Sequence, residues 1–89
     1  MNMHKTSIVI LSYNTYEITK ECIESIRKFT AAGSYEIIVI DNASKDDSVA
    51  WLKHQKDIKL IINMENKGFP GGCNQGMTVA EQGNDIDQC

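Results

Sequence analysis

Short runs of apolar residues alternate along this chain with longer stretches in which apolar residues recur every three or four positions. Three of the short runs, at residues 7–11, 37–40 and 58–62, are rich in β-branched side chains. The first two are apolar almost throughout, as strands covered on both faces are. Lys59 interrupts the third, which places that strand nearer an edge. The pattern therefore predicts three β-strands.

The stretch between the first two runs has the periodicity of an amphipathic helix. Asn14 and Glu17, three positions apart, resemble a capping box, and Gly33 is placed to end the helix. The apolar residues between them follow at spacings of four, four and three, which is one face of a helix: Ile18, Cys22, Ile26 and Phe29, with Ile23 alongside.

The two later connections predict two further helices. Ser44 and Asp47 give the second a capped start, and the third is predicted from Cys73 to near Gly83. The order β-α-β-α-β-loop-α implies right-handed crossovers and an open, mainly parallel α/β sheet, Rossmann-like in its connections. The polar tail after Gly83 is predicted to add no element. Three strands would leave two open sheet edges, to be covered by further chain or by another subunit.

Composition narrows the classes of function. With 89 residues the chain is large enough for one domain, residues 1–89, and its net charge of −3 with scattered basic residues argues against a nucleic-acid partner. Three cysteines without a CxxC pair support neither a disulfide framework nor a zinc site, so we expect a reducing, cytoplasmic setting. No apolar run approaches the roughly 20 residues that span a bilayer, so no membrane segment is predicted.

Residues 66–76, NKGFPGGCNQG, hold four of the six glycines and the only proline. In open α/β sheets, ligands bind beyond the carboxyl ends of the strands. This glycine stretch lies there by topology, together with the loops at residues 12–14 and 41–44. The bare amides of Gly71 and Gly72 favour a phosphate or a sugar hydroxyl. Asn74 and Gln75 can point into the same space, and Gly76 permits close packing of a helix on the sheet.

Two readings are open for the other two loops. Tyr13 can stack on a nucleobase, or it can cover the end of the sheet. Asp41 and Asn42 can accept hydrogen bonds from a ribose or a base, or Asp41 and Ser44 can satisfy loop amides and cap the second helix. Neither GxGxxG nor a P-loop is present.

Together, the three loops resemble the nucleotide-binding half of family-2 glycosyltransferases, which have the GT-A fold. SIVILSYNTYEITKECIESI is similar to the opening strand and helix of that family, and YEIIVIDNASKDDS to its EIIVVDNxSxD segment. NKGFPGGCNQGMTVA is similar to the N-x-G-F-A-G-G-N-N-x-G motif of bacterial members that act on cell-surface polysaccharides. The resemblance spans residues 6–82.

The resemblance implies inverting transfer from a UDP- or dTDP-sugar donor bound at this sheet edge. It implies that Tyr13, within Ser12-Tyr13-Asn14, packs on the base, and that Asp41 and Asn42 read base and ribose. Asp46 matches the second acid of the DNxSxD segment. Pro70 and Cys73 stand where Ala and Asn are commoner. The donor-side loop would contribute a further set of residues: Lys67, Gly71, Gly72 and Asn74.

The family also uses a divalent metal, Mg²⁺ or Mn²⁺, held by a DxD motif after a fourth strand, and an acidic base further on. Asp85-Ile86-Asp87 matches DxD as a pattern but precedes any predicted fourth strand, so we expect a coincidental match. No catalytic or metal-binding residue is therefore predicted, and the 89 residues alone are expected to be inactive. The alternative is a non-catalytic βαβ domain that forms a homo-oligomer through its open edges.

Overall fold

The computed structural model describes residues 6–31, 33–66, 68, 71, 74–76 and 85–88. The elements in chain order are β1 (Thr6–Ser12), α1 (Tyr16–Phe29), β2 (Tyr35–Asn42), α2 (Ser48–Lys53), β3 (Ile58–Asn63) and β4 (Asp85–Gln88). Residues 74–76 are also helical. All four strands are parallel, in the order β3-β2-β1-β4. The predicted open α/β sheet is confirmed.

Apolar side chains of the sheet form one core on each face. Strand side chains alternate between the faces, so Ile37 and Val39 of β2 face one way and Ile38 and Ile40 face the other. The first face packs against α1 and α2 through a core formed by Ile10, Ile23, Ile37, Val39 and Leu52. The second core is formed by Val9, Ile38 and Ile40. Because β2 is covered on both sides, its centre carries no polar residue.

Gly76 lies against the second face, where the backbone of residues 74–76 approaches β1. A Cβ at this position would lie 2.4 Å from Cγ1 of Val9 and 3.0 Å from its Cγ2. No side chain fits at that distance, so the expectation that Gly76 allows close packing on the sheet is confirmed. The rest of the predicted third helix, at residues 73 and 77–83, lies outside the described residues.

The buried stripe of α1 differs from the predicted one. Of the predicted residues, Ile23 is buried and Cys22 and Ile26 pack against the core, as expected. Ile18 and Phe29 are instead 69% and 78% exposed, and Thr19 is buried in addition. A threonine can occupy the inward stripe because its hydroxyl donates to Ser12 Oγ at 3.3 Å and lies 3.1 Å from Thr15 Oγ1. The stripe is therefore rotated from the one that apolar spacing alone selected.

Neither helix start is capped as predicted. α1 begins after Thr15 and α2 after Asp47, and neither of these two N-cap side chains makes a capping hydrogen bond. α1 also ends at Phe29, and Gly33, with φ of 86°, makes a turn before β2 instead of closing the helix. Asn14 and Ser44, two of the side chains that suggested caps, bond between loops, as described below.

The tail forms a fourth strand, so the prediction of a three-stranded sheet was wrong. β4 pairs with β1, with Asp85 opposite Thr6 and Asp87 opposite Ile8. Both positions lie toward the amino end of β1, about 20 Å of strand from Ser12 for Asp85 and about 13 Å for Asp87. The Asp85-Ile86-Asp87 pattern therefore lies toward the amino ends of the strands, whereas the three predicted ligand loops follow their carboxyl ends.

Two further expectations can be compared with the structure. Cys22 is disulfide-bonded, a pairing that the cysteine spacing gave no reason to expect. Among the described helices, none has the length and apolar character needed to cross a bilayer.

Candidate functional site

The carboxyl ends of β1, β2 and β3 lie side by side and form what we call the carboxyl edge. Ser12 pairs with Asp41, and Asn42 pairs with Asn63. The predicted alignment of the three loops at one edge therefore follows from the strand register. The order β3-β2-β1-β4 also changes direction next to β1, and such a reversal is where open α/β sheets bind ligands.

Asn14 joins the loop after β1 to the loop after β2. The backbone N–H of Asn14 donates to Ser44 Oγ at 2.9 Å, and its side-chain Oδ1 accepts from the backbone N–H of Lys45 at 2.7 Å. Asn14 has φ of 52°, a left-handed conformation that asparagine adopts more readily than most residues. The two loops are thus held as one unit.

Asp41 is the most unusual residue at the carboxyl edge. It is fully buried, and its Oδ2 accepts from the amide of Ser44 at 2.9 Å. Its Oδ1 is also buried and has no hydrogen-bond partner among the described residues. An unpaired buried acceptor is costly, and such atoms in native structures are few. Asp41 therefore retains an acceptor that its described neighbours do not satisfy.

A cavity of about 270 Å³ opens beside Asp41 and is called here the Asp41 cavity. Asp41 and Lys45 are the charged residues of its lining. The complete lining is Asp41, Ala43, Ser44, Lys45, Val49, Ile62, Asn63 and Met64. The lining thus combines charged and polar residues with apolar ones, as small-molecule sites do.

Three carboxamides link the tips of β2 and β3 to the helical residues 74–76. Asn63 and Gln75 bond reciprocally, at 2.7 Å from Asn63 Nδ2 to Gln75 Oε1 and 2.9 Å from Gln75 Nε2 to Asn63 Oδ1. Asn63 Nδ2 also donates to Asn42 Oδ1 at 2.7 Å, and Asn42 Nδ2 donates to the carbonyl of Gly68 at 3.4 Å. We call this set of three side chains the amide chain.

The structure distributes the predicted site residues unevenly. Ser12 is buried with its hydroxyl accepting from Thr19, and Tyr13 is half exposed. Asp41 and Asn42, predicted as a pair, are successive strand residues whose side chains point to opposite faces of the sheet. Asn42 therefore belongs to the amide chain, whereas Asp41 belongs to the cavity.

Four predicted residues belong to the glycine stretch. Gly71 is helical and half-buried, and Asn74 is exposed. Lys67 and Gly72 lie outside the described residues, so their predicted roles stay predictions. Gly68, which Asn42 contacts, ties this stretch to the carboxyl edge.

Sequence reasoning missed Asn63 and Lys45. Asn63 follows the apolar residues of β3 directly, and it sits at the same register level as Asn42. A polar residue at the end of each of two neighbouring strands is the signal that could have identified it. Lys45 carried no such signal, because its place follows from the turn at Ala43, whose φ is 62°.

Asp46, matched in sequence to an acid of the family segment, bonds to helix starts instead. Its Oδ2 accepts from the amide of Tyr16 at 3.1 Å and its Oδ1 from the amide of Ser48 at 3.0 Å. The Ser48 side chain, followed by these amides, lowers the pKa of Asp46 below its ordinary value. One carboxylate therefore holds the starts of α1 and α2 together.

This arrangement predicts a loss of stability in acid. Because the folded state depresses the pKa of Asp46, its contribution is present above the ordinary value of 3.8 and is lost as the pH falls through the lower folded pKa. Asp57, whose pKa the Arg27 guanidinium lowers, acts in the same direction. In urea unfolding between pH 7 and pH 2.5, we expect Asp46→Asn to lose less stability on acidification than the wild type. Asp47→Asn, at an exposed neighbour, is the control, and an acid response of Asp46→Asn equal to that of the wild type would contradict the assignment.

The described residues do not fit a metal ion. No group of three or more His, Cys, Asp or Glu side chains within them could hold one. Asp85 and Asp87 occupy register positions at the far end of β1 from Ser12.

Comparison with known proteins gives consistent matches. A family model described as glycosyl transferase family 2 matches residues 7–82. The uncharacterized glycosyltransferase YfnE of Bacillus subtilis is 33% identical over 79 residues, covering 85% of this chain and 20% of that protein. The poly(ribitol-phosphate) beta-glucosyltransferase of Bacillus spizizenii is 36% identical over 72 residues, covering 75% of this chain and 11% of that protein.

Two further proteins extend the comparison. The O-antigen chain rhamnosyltransferase RfbN of Salmonella typhimurium is 30% identical over 77 residues, covering 86% of this chain and 24% of that protein. The mannosyltransferase PcManGT of Pyrobaculum calidifontis, solved in complex with GDP-Man and Mn²⁺, superposes with a TM-score of 0.72 at 19% identity, covering 91% of this chain and 26% of that one. This last likeness shows the fold. The chain spans between 11% and 26% of the length of these four proteins.

Proposed function

The chain belongs to glycosyltransferase family 2, and we propose that it forms the part of such an enzyme that binds the nucleotide-sugar donor. The donor's nucleoside would lie at the carboxyl edge, with the half-exposed ring of Tyr13 available for stacking and Asp41 as the buried acceptor. The glycine stretch would face the diphosphate. The whole enzyme would transfer the sugar with inversion, in the cytoplasm, during synthesis of a cell-surface polysaccharide.

The observation that carries this proposal is the unpartnered Oδ1 of Asp41. A carboxylate oxygen that is fully buried and lacks a donor becomes satisfied when a ligand supplies an N–H or O–H group. Ribose hydroxyls and base N–H groups are such donors. The adjoining cavity of about 270 Å³ gives room for part of a nucleoside.

The use of Asp41 Oδ2 supports a pyrimidine base. Ser44 already donates to that oxygen, so a single carboxylate oxygen remains. Uracil and thymine present one N–H donor, at N3, whereas guanine presents two neighbouring donors, at N1 and N2. We therefore propose UDP- or dTDP-sugars as donors, although the structural neighbour named above was solved with GDP-Man.

The segments that complete the enzyme are proposed to lie outside the described residues. The neighbour contains Mn²⁺, and we propose that the full-length transferase uses Mg²⁺ or Mn²⁺, which the described residues do not hold. The 89 residues alone would then bind donor without transferring sugar. The polysaccharide role is supported by the relatives named for poly(ribitol-phosphate) glucosylation and O-antigen chain rhamnosylation.

Titration with nucleotides tests the proposal. We expect UDP or dTDP to shift the backbone amide NMR signals of Tyr13, Asp41 and Ser44, with GDP binding more weakly. Asp41→Asn removes the charge of the free acceptor and should weaken UDP or dTDP binding about tenfold. Asp47→Asn, an exposed carboxylate in the same loop, is the matched control. A folded wild-type protein that binds none of the three nucleotides would overturn the proposed function.

A second candidate function has one observation in its favour. β3 is an outer strand of the described sheet, and Ile62 within it and Met64 just after it are 40% and 94% exposed. An unpaired strand edge with exposed apolar side chains can pair with a second copy. A mass that rises with concentration in light scattering, unaffected by nucleotide, would favour a self-associating domain over donor binding.

A further inference from the structure

The amide chain occupies a place where apolar residues would pack. Val9, Ile38 and Ile40 fill the same face of the sheet, yet Asn42 and Asn63 are buried there at 4% and 7% exposure. Burying carboxamides costs free energy unless their donors and acceptors are paired, and these are paired within the chain of three. A fully paired network of this kind holds the backbone segments that carry its side chains in fixed relative positions.

Both ends of one backbone segment are held by this network. Asn42 contacts the carbonyl of Gly68, and Asn63 pairs with Gln75. Gly71 lies between these two anchors in sequence. Glycine-rich backbone loses more conformational entropy on ordering than other backbone does. Anchoring both ends before a ligand arrives lowers the ordering cost at binding, which raises affinity for whatever the segment contacts.

We infer that Asn63 and Gln75 are positioning residues that hold residues 74–76, at the end of the glycine stretch, in place for the diphosphate of the donor. This inference rests on the proposed function, in which the glycine stretch faces the diphosphate and the nucleoside lies at Tyr13 and Asp41. The reciprocal Asn63–Gln75 pair fixes the end of the segment at residues 74–76, and Asn42 fixes the start. Neither Asn63 nor Gln75 needs to touch the nucleoside.

The inference predicts that one substitution changes the affinity for UDP but not the affinity for uridine, although the two ligands share a nucleoside. Gln75→Leu keeps side-chain size but removes the reciprocal pair. We expect this change to weaken UDP binding about tenfold, as the loss of two hydrogen bonds suggests, and to leave the affinity for uridine within about twofold. Gln55→Leu makes the same substitution at a half-buried glutamine between α2 and β3, away from the carboxyl edge, and should leave the affinities for both ligands unchanged.

Two more measurements separate positioning from general destabilisation. Exchanging the pair, as Asn63→Gln with Gln75→Asn, conserves the summed side-chain length and should restore most of the UDP affinity. Without ligand, hydrogen exchange at the Gly71 amide should be faster in Gln75→Leu than in Gln55→Leu. Equal weakening of UDP and uridine, or no weakening of either, overturns the inference while leaving the proposed function intact. A wild-type protein that binds neither ligand overturns both.

Discussion

Replacing Gly76 with alanine is expected to lower the free energy of unfolding by about 2 kcal/mol. At most helical positions the same replacement stabilises a protein by about 0.5–1 kcal/mol, because alanine loses less backbone entropy than glycine. Here the added Cβ would lie 2.4 Å from Cγ1 of Val9. Val9 is 2% exposed in the centre of a strand, and its β-branched side chain has little rotamer freedom with which to move away. The sign of the effect is therefore opposite to the general expectation.

Urea unfolding of two control variants isolates the clash with Val9. Gly33→Ala adds a Cβ where nothing lies within 4 Å, so only the strain of its φ of 86° remains, about 1 kcal/mol. Adding Val9→Ala to Gly76→Ala opens the space that the new methyl group needs. The double variant should be more stable than the sum of the two single losses implies. Strict additivity would show that residues 74–76 do not pack on β1 as described.

Replacing Asn63 with leucine is expected to lower the free energy of unfolding by about 3 kcal/mol. The change leaves Asn42 Oδ1 and Gln75 Oε1 without the donor that Asn63 Nδ2 supplies at 2.7 Å to each. It also leaves Gln75 Nε2 without its acceptor. Buried groups that lose their partners cost about 1–3 kcal/mol each, and leucine packing at the site offsets part of that cost. Urea unfolding followed by circular dichroism measures the difference.

The contribution of the partners can be separated by a second replacement. Asn63→Leu combined with Gln75→Leu removes two of the orphaned groups, so the double variant should recover part of the loss. Asn66→Ala is the control, because Asn66 is an exposed asparagine in the same loop whose Oδ1 accepts from the amide of Gly68. Its loss should stay within about 1 kcal/mol. If Asn63→Leu lowered the free energy of unfolding no more than this control does, the amide chain would not contribute measurably to stability.

The sheet could be predicted from the sequence because solid apolar runs have few alternatives. Residues 37–40 are all fully buried, as a strand covered on both faces requires. In a parallel sheet the loops that follow the strands must lie at the same edge. The loops at Ser12 and Asp41 were therefore placed correctly from the order of the elements alone. The weak fourth strand was missed because its pairing partner, β1, is remote in sequence and its own residues are mostly polar.

The helix starts and the details of the site were less predictable. Asn14, Ser44 and Asp46 have the composition of local caps, but each bonds to a residue about 30 positions away. A single sequence shows which groups can accept a hydrogen bond. Tertiary packing then determines which donor lies within bonding distance of each acceptor. The same limit separated Asp41 from Asn42, because adjacent strand residues face opposite ways whatever their chemistry.

The pairing of β1 with β4 has a consequence for biosynthesis. β1 is the first described strand to leave the ribosome, and one of its neighbours in the finished sheet is the last. Once β1, β2 and β3 have emerged, they can assemble before β4 has been translated. During that time the backbone groups on the β4 side of β1 have no strand to pair with. A nascent chain in that interval displays an open hydrogen-bonding ladder, so slow translation of the glycine stretch should increase its dependence on chaperones.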